Sequence, residues 1–410
     1  MLRRRCGHNR AMAPVPLLWL ALACAALAFG VPAHPASDQA GAAPQQAVSA
    51  RFALGGNAAE IPAKFVGNLV FLPARVNSGL PSSFELDTTA ARSAVAPARG
   101  AAATGSLPNA VIGFPGVEFS LAALPIASRS DIEAAVGEEY HGKIGDDVLS
   151  AIVLVLNYRR QTVQMYDPAA HRPEKSQTAA LPLSFSGDVP VIHARFILEK
   201  GKPVEGEFAL DTSLDASVVF SNAFAERHKM FSSRVKTVST IDPELGADRS
   251  VALARMKTFE IGTSSMANLI GEFPQRGWTP PGGASLAGAI GGGILRRFTV
   301  TLDFPHHQAY LDPNARFEDY DQEDKSGLAL IAAGPGLKQF EVVYVQAGSP
   351  AANAGIQKGD LIAGMDGEAA ADMTLADVRD LLRGAGYKRK LEMERNGKTY
   401  EVTLDLTRLL

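Results

Sequence analysis

The chain has 410 residues, 46% hydrophobic and 20% charged, with 38 glycines and 25 prolines. That composition accommodates two or three globular domains and excludes collagen, coiled coil and wholesale disorder. Its two cysteines, Cys6 and Cys24, both fall in the first 24 residues, which excludes a disulfide framework, a cysteine-ligated zinc site and thiol catalysis downstream.

The first 33 residues read as a signal peptide. Arg3, Arg4, Arg5 and Arg10 precede an apolar stretch from Val15 to Phe29, and Val31-Pro32-Ala33 supplies the small residues of a cleavage site. The stretch falls short of the roughly 20 residues a spanning helix needs, so no membrane span is expected once it is cleaved. A periplasmic or secreted protein is expected. A lipoprotein anchored at Cys24 fits less well, because apolar residues continue beyond that cysteine. Removing residues 1–33 takes away four arginines and no acid, which moves the formal charge from −3 to −7. A chain this acidic is not expected to bind nucleic acid. Residues 34–50, rich in Ala, Pro, Gln and Ser, read as a disordered leader.

From Arg51 to about Pro313, short runs of Val, Ile, Leu and Phe broken by Gly, Pro and Asn predict a mainly β fold. This region is internally repeated. Phe65-Val66-Gly67-Asn68-Leu69 corresponds to Phe185-Ser186-Gly187-Asp188-Val189, and Phe84-Glu85-Leu86-Asp87-Thr88 to Phe208-Ala209-Leu210-Asp211-Thr212. Ile144-Gly145 with Leu156-Asn157-Tyr158 corresponds to Ile290-Gly291 with Leu302-Asp303-Phe304, and each copy ends in Asp-Pro. Two such copies predict two homologous lobes, residues 51–172 and 173–317.

An acidic run, 318–326, follows and reads as a solvated linker. In the last module, 327–410, Ser349-Pro350 caps a short helix that Gly355 ends, and Thr374 with Asp377 forms a capping box. Leu375, Val378, Leu381 and Leu382 share one helical face behind that box, and Asn396-Gly397 marks a tight hairpin. This is an α+β pattern.

The chemistry-bearing feature is an apolar strand that runs into Asp-Thr in each half, at Asp87-Thr88-Thr89 and Asp211-Thr212-Ser213. A carboxylate at the end of a buried strand is costly unless it is hydrogen-bonded. Two in equivalent places suggest a pair that shares one proton, the ionised member activating a water and the protonated one polarising a carbonyl. No metal or cofactor is needed for that chemistry. Asp215, whose counterpart is Ala91, reads as a surface residue, and His306-His307 as a polar turn.

At these residues the chain resembles the aspartic proteases, and specifically bacterial retropepsin-like proteins with two such repeats and a trailing PDZ domain. The resemblance implies a bilobal, acid-protease-like β fold with catalytic Asp87 and Asp211. It implies Thr88 and Thr212 bonded across the two loops, and Ile144-Gly145 and Ile290-Gly291 packed beneath them. Where the family has glycine after Asp-Thr, this chain has Thr89 and Ser213, side chains that would crowd the cleft or turn the carboxylate. Flaps would be the stretches around Thr104-Gly105-Ser106 and Pro243-Glu244-Leu245-Gly246. The last module resembles a PDZ domain through Gly348-Ser349-Pro350-Ala351, Gly359-Asp360 and Asp366-Gly367. That resemblance implies capture of peptide C-termini on the backbone of Gly334, Gly336 and Leu337. Two readings follow: an exported endopeptidase acting on polypeptides, or a pseudo-protease that binds extended polypeptides without cutting them. In a third, each lobe would pair with another chain.

Overall fold

The computed structural model describes residues 48–410 apart from 130–131, 174–177, 199–201, 231–234, 247–248 and 385–386. The expected signal peptide, both cysteines and all but the last three residues of the expected leader lie outside the described residues. Ala50 already belongs to a strand, Ala50–Phe52, paired with Val117–Phe119.

The fold is mainly β, and its strands follow the expected alternation. In Val189–Leu198, for example, His193 and Arg195 face solvent while Ile192, Ala194, Phe196 and Leu198 point inward. Phe196, Phe208, Phe220 and Phe259 are mutually packed there, and Phe220 stacks on Phe273 at 4.6 Å. Each buried ring contributes on the order of 2 kcal/mol from area alone.

The internal repeat is carried into three dimensions. In the first half Ser82–Leu86 pairs in parallel with Gly142–Ile144; in the second Val204–Leu210 pairs in parallel with Gly288–Ile290. The two halves are joined by a six-stranded sheet to which both contribute. At its centre Val153–Asn157 runs antiparallel to Phe298–Asp303, and Val155 lies opposite Thr301, its own repeat equivalent. A local twofold therefore passes through that pair. Phe65 against Tyr158 and Phe185 against Phe304 are the matching aromatic contacts on either side. One continuous apolar core runs through both halves, whereas residues from Leu328 to Leu406 enclose a core of their own. No helix among the described residues is long and apolar enough to cross a membrane.

The acidic connector is not a solvated linker. Asp321, Glu323, Lys325 and Ser326 are buried. Asp321 accepts from Ser217 Oγ at 2.6 Å, from Ile270 N at 2.8 Å and from the fully buried Arg297 at 2.7 Å. The repeat explains why. In the first half Ser93 Oγ donates to Asp147 at 2.6 Å, but the equivalent of Asp147 is Gly293, which has no side chain. Asp321 enters from the connector and takes the place of the missing carboxylate.

In the last module the capped helix Leu375–Arg383 has the expected capping box between Thr374 and Asp377. Lys388–Arg395 and Lys398–Asp405 form the hairpin turned at Asn396-Gly397. Its sheet has Leu328–Ala333 as an edge strand, paired on one side only with Gln339–Val345.

Candidate functional site

Asp87 and Asp211 occupy equivalent turns. Asp87 N donates to Ile144 O at 3.0 Å and Asp211 N to Ile290 O at 2.9 Å, so each turn hangs on the parallel strand beside it. The residues that follow lock the two turns together. Thr88 Oγ1 donates to Leu210 O at 2.7 Å, and Thr212 Oγ1 to Leu86 O at 2.6 Å. Each hydroxyl also accepts the other threonine's N–H at 3.1 Å. Four backbone groups are thereby satisfied between halves, in a region where both threonines are fully buried.

Beneath the turns, Gly145 and Gly291 leave no room for a side chain. A Cβ on Gly145 would lie 2.6 Å from Ala90 O, and one on Gly291 would press on the carbonyls of Ala216 and Leu214. Ile144 and Ile290 are fully buried behind them.

Thr89 and Ser213, the side chains expected to crowd the cleft or turn the carboxylates, bond directly to them, and Ser213 lines the cavity beside Asp87. Thr89 donates both N–H (3.0 Å) and Oγ1 (2.8 Å) to Asp87 Oδ1, and Ser213 donates N–H (2.9 Å) and Oγ (2.6 Å) to Asp211 Oδ1. The side chain folds back on the residue two before it and orients it, leaving each Oδ2 free of that clamp. Burial, and then the charge of Asp87, push Asp211 up to about 7.

Sequence inspection missed an asymmetry between the halves. Lys143 Nζ lies 3.1 Å from Asp87 Oδ2. Glu85, two residues before Asp87 and therefore on the same strand face, is buried with Oε1 unpartnered, and burial followed by the charges of Asp87 and Asp211 raises its pKa well above normal. The second half has Ala209 and Ala289 at these places, paired in the same register. The available signal was local: Glu85 between Phe84 and Leu86, and Lys143 before Ile144, where the second copy has alanine at both places. Glu85, Asp87, Tyr140, Lys143 and Ser213 line a cavity of about 340 Å³.

Of the two flap candidates, one reaches this cavity. The turn Pro243–Leu245 lines it together with Gly246 and Ile132. Thr104-Gly105-Ser106 is exposed and contributes nothing to its lining. Asp215 is not a free surface residue. It accepts from Asn68 N at 2.6 Å, and its own N–H donates to Glu244 at 3.0 Å, which joins the first half, the Asp211 turn and the Pro243–Leu245 turn. His306 sits in the expected polar turn, bonded to Asp303 at 2.8 Å. No cluster of three or more His, Cys, Asp or Glu suited to a metal ion occurs among the described residues.

Gly334, Gly336 and Leu337 form the turn between the edge strand and its neighbour. Of the three expected donors, one is already engaged within the turn. The N–H of Leu337 is spent on Gly334 O, and its side chain enters the domain core. Donors converge instead at the start of the edge strand, where Ser326 N, Gly327 N and Leu328 N all point to one oxygen of Asp324.

Residues 341–392 match the family model described as a PDZ domain. No curated protein matches the chain. Among solved structures, a photosystem II D1 C-terminal processing protease aligns at 30% identity over 21% of this chain and 23% of that one, TM-score 0.20. The chain thus spans under a quarter of that protease. Basic 7S globulin from soybean aligns at 9% identity over 62% of this chain and 95% of that one, TM-score 0.37. An HtrA-type protease, AlgWS227A with decapeptide, aligns at 14% identity over 60% and 67%, TM-score 0.22. The PDZ domain implies peptide binding at the C-terminal end of the chain.

Proposed function

We propose that this chain is an exported, aspartic-type endopeptidase of the retropepsin-like kind. In this reading it has two homologous lobes (51–172 and 173–317), a connector (318–326) and a peptide-recognising PDZ domain (327–410). The observation that carries the reading is the reciprocal Thr88–Thr212 bonding, which ties the Asp87 and Asp211 turns to one another across the repeat axis. Asp211 keeps its proton to about pH 7, and Asp87 faces the Lys143 ammonium. Asp211 is then the member that donates to the scissile carbonyl and Asp87 the base that takes a proton from the attacking water. Glu85 lies beside this pair, its pKa raised by burial and by the charges of Asp87 and Asp211. Export rests on residues 1–33.

The pseudo-protease reading is favoured by one feature, the Lys143 ion pair. A side chain that occupies Asp87 Oδ2 stands where the nucleophilic water would be held, and a polypeptide could lie in the cleft uncut.

Cleavage of an unfolded protein by wild type, Asp87→Asn and Asp211→Asn decides between these readings. Loss of cleavage in both variants, with chelators and thiol reagents without effect, supports the endopeptidase. Cleavage that survives either substitution overturns it, and a wild type that binds unfolded chains without cutting supports the scaffold.

A further inference from the structure

The edge strand Leu328–Ala333 is the place where a PDZ domain adds a peptide as an extra strand, and this chain already covers it from two sides. Along its second half lies the helix Ile132–Val136 of the first lobe. Arg379, on the domain's own capped helix, donates to Ala135 O at 2.7 Å and to Leu330 O at 2.9 Å, stitching the lobe helix to the edge strand. Gly137 completes the contact. A Cβ there would lie 2.8 Å from that of Leu375 and 3.4 Å from that of Ala332, on either wall of the groove. At the strand's beginning, Asp324 Oδ1 takes the three converging N–H groups of Ser326, Gly327 and Leu328 at 2.9, 2.6 and 3.2 Å. Backbone donors in that arrangement form an anion nest.

We infer that the PDZ groove is held closed by its own chain, with Asp324 in the place of a ligand's terminal carboxylate and the Ile132–Gly137 segment in the place of the ligand's upstream residues. The partner that fits is an extended peptide with a free C-terminal carboxylate. Its C-terminal residues can enter through the open cavity of about 780 Å³ that Leu328, Ala329, Leu330, Arg379 and Arg383 line, but the upstream residues of a longer peptide have to displace the helix. Ile132 of that helix also walls the carboxylate cavity, and the flap residue Glu244 lies 3.9 Å from Arg379. A peptide on the edge strand therefore releases contacts on both sides of the Asp87 cavity. The inference rests on reading the edge strand as the peptide site and does not depend on cleavage.

The test uses the full chain and a fluorescein-labelled pool of random heptapeptides, acid-terminated in one arm and amidated in the other. Gly137→Ala forces the helix away without altering the PDZ domain, and Asp324→Ala empties the nest. Both variants should bind the acid pool about tenfold or more tightly than wild type, as removal of a competing closed state requires, and the amidated pool weakly. In Gly137→Ala, amide exchange should quicken in 328–333 and stay unchanged in the 388–405 hairpin. If Gly137→Ala unfolds the chain, Asp324→Ala carries the test alone. Wild type binding as tightly as the variants overturns self-closure. Failure of both variants to bind either pool overturns the edge strand as a peptide site, and equal binding of acid and amide overturns the nest as its carboxylate subsite.

Discussion

The hydroxyls of Thr88 and Thr212 lie 3.3 Å apart, each accepting the other residue's N–H and donating to a strand carbonyl of the opposite half. The arrangement is closed, so no single member can be removed without stranding a buried group. Thr212→Val should leave Leu86 O and Thr88 N unpaired and cost about 1–3 kcal/mol for each group left without a partner. Thr212→Ser keeps the hydroxyl and should recover most of that loss. Thermal melts of the two variants check this, and equal melting would show that the crossed bonds contribute nothing.

Thr89 and Ser213 are donors to the carboxylates. Replacing both by glycine, which the family pattern would favour, should therefore weaken the site, because each aspartate loses an oriented hydroxyl. Cleavage by Thr89→Gly/Ser213→Gly is expected to fall below wild type, with Thr89→Ser alone nearly unchanged. A gain on glycine replacement would mean that the side chains obstruct substrate.

Raising the pH should erode stability and, in the endopeptidase reading, activity. Asp211 holds its proton to about pH 7, against an ordinary value near 4 in an unfolded chain. Between those values the folded state binds more protons than the unfolded one, so stability falls as pH rises through that window and is fully present below it. Asp211→Asn removes this contribution and should flatten the decline of melting temperature from about pH 4 to 7. Cleavage by wild type should decline above about pH 7.

Lys143 lowers the pKa of Asp211 as well as facing Asp87. Lys143→Met should shift the upper limb of the pH profile upward by about one unit, an effect of the size one nearby charge produces, and Lys143→Arg should restore the wild-type limb. Cleavage that appears only in Lys143→Met would identify the lysine as the block in a pseudo-protease.

Gly291→Ala offers a packing control. Its Cβ would meet the backbone carbonyls of Leu214 and Ala216, which cannot rotate away as a side chain could. A loss of about 3 kcal/mol or more is expected. Gly187→Ala, with nothing within 4 Å, should cost only the strain of its positive φ. Urea titration of the two variants measures the difference.

The internal repeat, the two Asp-Thr turns and the capped elements of the C-terminal module were legible in the chain because each is written locally, in alternation, capping residues or matched spacing. Once two copies of one strand-and-turn pattern exist, apolar burial and the pairing of like with like bring the second aspartate to the first. What the repeat does not contain could be decided only by the fold. Asp321 looks like one acid among several in a charged run. It is buried because Gly293, 28 residues earlier, lacks the carboxylate that Asp147 supplies in the first half. Lys143 and Glu85 reach Asp87 because parallel pairing sets 85 beside 143 in register. The edge strand is covered because Gly137, with its positive φ and no side chain, lets a distant helix approach Leu375 and Ala332. Such contacts join residues with no shared period or neighbourhood in the chain, so their energies exist only after the halves and the C-terminal domain have packed.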